Sequence, residues 1–151
     1  MKKMLLLVVA SSFLAIAGGS RAQAQVAETV VVADIPFGFM VRDTTLPAGQ
    51  YTIKRLDSVN PNAMEIRSAD GVERLVFLVG SAEAVTPPDQ TKLVFDRVGD
   101  QYFLSEIFEV GDRSGVELKK SRAERRLEKE DGIGQLHSVA VPAHAGINAG
   151  R

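Results

Sequence analysis

The chain has 151 residues, 18 basic against 19 acidic side chains, a net charge of −1, and neither cysteine nor tryptophan. Without cysteine it has no disulfide, no thiol nucleophile and no thiolate metal or iron–sulfur site, so the fold stands on its core alone. The charge balance does not favour nucleic acid as a partner.

The chain opens with a processing pattern. Lys2 and Lys3 precede an apolar run, Met4 to Ala17, broken only by Ser11 and Ser12, and Ala22-Gln23-Ala24 is a small-x-small cleavage signature. The run is shorter than the ~20 residues a membrane helix needs. We expect an export signal over residues 1–24 and a periplasmic or extracellular mature chain starting at Gln25. The alternative is an uncleaved N-terminal anchor. The segment carries Lys2, Lys3 and Arg21 and no acid, so its loss takes the charge from −1 down by three to −4. The 127 residues left, 151 less 24, are one domain's worth. No later segment is long and apolar enough to span a bilayer, and no lipidated cysteine anchor exists.

From Glu28 the period is two, and residues 25–117 are expected to form one all-β domain. Thr29 to Ala33 is β-branched and apolar. Ile35, Phe37, Phe39 and Val41 then alternate, with Pro36 and Gly38 marking a bend, bulge or edge. Arg42 to Gly49 is expected as a loop. Tyr51 and Ile53 share one face of the next strand, with Thr52 and Lys54 on the other. Asp70-Gly71 is a hairpin signal that pairs Ile66 with Leu75 and Met64 with Phe77. It also sets Arg67 opposite Arg74, with Glu65 and Glu73 near enough to offset them. Leu75 to Val79 is apolar on both faces and expected in mid-sheet.

The central hairpin runs from Lys92 to Val110 around Gly99-Asp100, a pair suited to a type II′ turn. The register sets Val98 opposite Gln101, Arg97 opposite Tyr102, Phe95 opposite Leu104 and Leu93 opposite Glu106. One face then holds Leu93, Phe95, Tyr102, Leu104 and Phe108, and Glu106 interrupts it. Either a bulge near Ser105 turns Glu106 outward, or it points inward and pairs with Arg97. With seven to nine short strands and a turn every 8 to 12 residues, the expected fold is all-β, an antiparallel sandwich or small barrel with a charged C-terminal helix.

That helix is expected over residues 118–131, with Lys120–Glu124 and Arg126–Glu130 at i,i+4. Leu118, Ala123 and Leu127 give it only a thin apolar stripe. Residues 132–151 are rich in Gly, Ala and Val and are expected to be a disordered tail. Lys119, Lys120, Arg122, Arg125 and Arg126 are candidate contacts for a partner, although the interleaved acids make a solvated face the simpler reading. His137 and His144 fall in the expected tail, where nothing positions a third metal ligand or a catalytic base. Asp96, Glu106 and Glu109 are the carboxylates from which an acid–base pair would come, and outer-face solubility accounts for them as well. We expect no cofactor, no metal and no catalysis.

Leu46–Leu56 (LPAGQYTIKRL), Thr86–Phe108 (TPPDQTKLVFDRVGDQYFLSEIF) and Glu117–Lys129 (ELKKSRAERRLEK) together resemble a family of small exported bacterial proteins. The resemblance covers most of the mature chain. It implies an exported β-rich protein and brings no activity with it. The function expected is a non-catalytic binding or structural module of the envelope or extracellular space, whose partner is a protein or an envelope component. The alternatives are a lipocalin-like carrier with an apolar cavity and a hydrolase.

Overall fold

The computed structural model describes residues 28–56, 60–130 and 137–148. The expected export signal, residues 1–24, lies outside the described residues. In chain order the elements are β1 (Glu28–Ile35), β2 (Phe39–Val41), β3 (Thr44–Leu46), β4 (Gly49–Arg55), β5 (Ala63–Ser68) and β6 (Arg74–Glu83). They continue with β7 (Lys92–Val98), β8 (Gln101–Phe108), β9 (Ser114–Leu118), α1 (Arg122–Glu130) and β10 (His137–Asn148).

Eight of these strands close a barrel in the order β1-β4-β5-β6-β9-β8-β7-β10, every neighbour antiparallel. Two three-stranded meanders, β4-β5-β6 and β7-β8-β9, make most of the wall. β6 joins β9 on one side, and the pair β1–β10 closes the other. The short hairpin β2–β3 lies beside β8 through one parallel bridge, Met40 to Phe103.

The Asp70-Gly71 register holds throughout, and the Gly99-Asp100 register holds from Val98–Gln101 to Phe95–Leu104, beyond which a bulge sets Leu93 opposite Ile107 and not Glu106. Ile66 faces Leu75 and Met64 faces Phe77. Arg97 faces Tyr102 and Phe95 faces Leu104, with Gly99 at φ 58 and Asp100 not positive, as a type II′ turn requires. The Arg67–Arg74 pair is relieved by Glu65, which accepts from Arg74 Nε at 2.6 Å. Pro36 to Gly38 separates β1 from β2, and there Phe37 stacks on Tyr102 with ring centroids 3.9 Å apart.

Four expectations are corrected. Residues 137–148 are not a loose tail. Their first half pairs with β7 and their second with β1, with Pro142 at the changeover, where its missing N–H is tolerated. Val141 and Ala143 face the core, so small side chains suffice because two neighbouring strands supply the hydrogen bonds. The remainder of that expected tail, residues 132–136 and 149–151, lies outside the described residues. The helix starts at Arg122 rather than Leu118, which is a buried β9 residue. Thr44–Leu46 is a strand rather than loop. It is turned back on β2 by Arg42, whose φ of 60 is uncommon outside glycine. Leu75–Val79 is not buried on both faces: Phe77 points in, while Val76 and Leu78 are 50 % and 60 % exposed.

The barrel interior is occupied by side chains. Ile35, Val41, Ile53, Leu93 and Phe95 are fully buried there, with Phe39, Tyr51 and Phe95 meeting edge to face at 5.2 and 5.4 Å.

Candidate functional site

Ser105 directs the chemistry of β8. It is the extra residue between the Phe95–Leu104 and Val94–Glu106 pairs, and its hydroxyl donates to the Val94 carbonyl at 3.1 Å. Past that bulge each side chain changes face. Ile107 enters the core, and Glu106 moves to the outside, directly across from Glu117 of β9. Phe108, expected in the core, lies outside the main cluster, under the Lys92 ammonium at 5.9 Å.

Glu106 is therefore an outer-wall carboxylate, and the inward pair with Arg97 does not form. Arg97 instead donates from Nε to the Gly99 carbonyl at 2.9 Å and reaches Asp100 at 3.5 Å. Partial burial pushes the Glu106 pKa up, the charges of Asp96 and Glu117 push it further, and Lys92 opposes them. Asp96 accepts from the Ser138 hydroxyl at 3.2 Å. Asp96, Glu106, Glu117 and Ser138 line a groove of about 1050 Å³ that runs over the outside of the wall to Val76 and Leu78 of β6.

The expected basic set does not converge. Lys120 pairs with Glu128, two turns along α1, instead of Glu124. Arg125 donates to the Lys120 carbonyl at 2.8 Å, and Arg126 pairs with Glu130 at 2.8 Å as expected. Arg122 is exposed, and Lys119 lends its carbonyl to Arg42 at 3.1 Å. Arg122 and Arg126 border a second groove, about 760 Å³, whose apolar floor includes Phe39, Tyr102 and Leu127.

What seats α1 is a reciprocal cap. The Ser121 hydroxyl accepts from the Glu124 N–H at 3.0 Å, and Glu124 Oε2 accepts from the Ser121 N–H at 3.2 Å. Glu124 is only 5 % exposed, and its Oε1 meets no donor. Burial raises its pKa, Asp96 and Glu128 add to the rise, and the Ser121 N–H and Lys120 oppose it. Sequence reasoning did not single out Ser121, though Ser-x-x-Glu is a readable signature. No one-dimensional signal could have grouped Asp96, Glu117 and Ser138, which come from three separate strands.

His137 and His144 lie on β10 opposite Arg97 and Val32 and are exposed, each remote in register from the other. Among the described residues no three carboxylate or imidazole side chains converge as metal ligands. No family model, no curated protein and no solved structure matches the chain.

Proposed function

We propose that this chain is an exported, non-catalytic binding or structural module of the envelope or extracellular space, acting through the outside of its barrel on a protein or envelope component. The observation that carries this reading is the filled interior. A carrier of the lipocalin kind needs an internal cavity of a few hundred Å³, and here the space is taken by Ile35, Ile53, Leu93 and Phe95. Lipocalin barrels are also simple up-and-down meanders, whereas here β9 stands between β6 and β8. Export rests on the Lys2–Ala24 pattern and on the resemblance carried by Leu46–Leu56 and Thr86–Phe108.

The test has two arms. Purified protein titrated with anilinonaphthalene sulfonate is expected to show no saturable one-to-one binding, and such binding would restore the carrier. Protein recovered from the periplasm or medium is expected to begin at Gln25 by mass; a cytosolic full-length product would remove the export claim.

One observation favours a second reading. A half-buried carboxyl with a raised pKa beside two other carboxylates is also the arrangement a hydrolase uses for its acid. On that reading Glu106 is the proton donor, and Glu106→Gln abolishes turnover of a glycoside or ester panel that the native protein cleaves. Absence of turnover by the native protein leaves Glu106 as a binding group.

A further inference from the structure

β6 is ten residues long, but β9 pairs only with Val79–Glu83. On that side Arg74 to Leu78 has no strand neighbour among the described residues. The β5–β6 ladder shows what this leaves open. Val79 N–H donates to the Asn62 carbonyl and Ser68 N–H to the Glu73 carbonyl, each at 2.9 Å. Hydrogen-bonded pairs alternate along an antiparallel ladder. Glu73, Leu75, Phe77 and Val79 therefore turn their main-chain groups toward β5, and Arg74 and Val76 turn theirs away. Val76 lines the 1050 Å³ groove, as does Leu78. Edges of this kind are ordinarily blunted with charge, proline or a cover. This one has an exposed valine at its centre.

The groove's charge says what fits. Of the cations on its lining, Lys120 is matched by Glu128 of α1, while Arg42 keeps its charge although it donates to the Lys119 carbonyl. That leaves Arg42 and Lys119 against Asp96, Glu106 and Glu117, a surplus of one acid, and the Glu106 pKa is raised by burial first and then by the charges of Asp96 and Glu117.

We propose that the free edge of β6 at Arg74–Leu78 accepts an extended, lysine- or arginine-bearing peptide segment of another protein as an added strand. The segment's main chain pairs with Arg74 and Val76, and its cations lie against Glu106, Glu117 and Asp96. This rests on the binding-module reading and names the class of partner.

The probe is a short fluorescein-labelled peptide of alternating valine and lysine, added to the full chain and followed by anisotropy. It is expected to bind saturably, at least about tenfold tighter than the same peptide with glutamate for lysine. Methylating its backbone nitrogens on alternate residues is expected to abolish binding. Val76→Pro is the protein-side control, because its N–H points away from β5 and proline there removes no ladder bond. The variant is expected to melt like the native chain and to lose the peptide. If it does not fold, Glu106→Gln/Glu117→Gln decides, since it must erase the lysine-over-glutamate preference. No saturable binding, equal binding of the methylated peptide, or retention by Val76→Pro overturns the proposal. So does a native dimer that Val76→Pro dissociates, since a second copy would then own the edge. Failure of the peptide overturns the added strand alone, because the module reading answers to the apolar-probe titration.

Discussion

One inserted residue, Ser105, exchanges Ile107 for Glu106 at the core and places a carboxyl on the outer wall between Asp96 and Glu117. The energetic consequence has a sign. An acid whose folded pKa is raised contributes stability that is complete below its unfolded pKa, near 4.5, and is lost as pH rises through the folded value. We therefore expect Glu106→Gln to melt above the native protein at about pH 7, with the gap closing toward about pH 4.5. Circular-dichroism melts across that range check it, and a constant gap would refute the assignment. Glu124 shifts in the same direction and stays in place in both proteins. The cap makes a second prediction. Ser121→Ala removes the acceptor for the Glu124 N–H and is expected to cost about 1 kcal/mol in urea unfolding. A change well under half of that would mean α1 is seated by Leu127 and not by its cap.

At the scale of elements, β10 decides whether the molecule is a barrel. Its pairing reaches from Lys92 and Arg97 of β7 to Glu28 and Ala33 of β1, so the first and last described strands are neighbours. Ending the chain after Leu136 exposes both those edges. That variant is expected to lose its cooperative melt and to aggregate through the bared strands; a native-like melt would show β10 to be dispensable. Composition hid this strand. Val139, Val141 and Ala143 carry the inward period, but Pro142, Gly146 and the alanines around them read as unstructured when taken one residue at a time. The helix was more legible. Its interleaved charges read most simply as a solvated face, with a basic contact face as the other reading, and the fold pairs Lys120 with Glu128, Arg126 with Glu130 and the guanidinium of Arg125 with a carbonyl.

For the whole molecule, closure predicts one transition. The wall has no independent half, since each meander borrows a neighbour from the other at β6–β9 and through β1–β10. Tyrosine fluorescence and far-ultraviolet circular dichroism are expected to report the same midpoint. Phe95→Ala, which empties the centre of the aromatic cluster, is expected to cost about 3–5 kcal/mol in urea unfolding. Much of this was legible in the residues. Period-two patterning, Asp70-Gly71 and Gly99-Asp100 determined the two hairpins, their registers next to each turn and the inward placement of Phe95, Tyr51 and Phe77, but not the bulge at Ser105 that resets the far end of the second. These are local: a turn's backbone angles and a strand's alternation are set by residues a few positions apart. Only the tertiary structure decided sandwich against barrel, the recruitment of residues 137–148, the outer acid cluster and the bare edge of β6. Each of those depends on which strand lies beside which across long stretches of intervening chain, as when Glu28 meets Asn148, and strand adjacency leaves no mark on local periodicity.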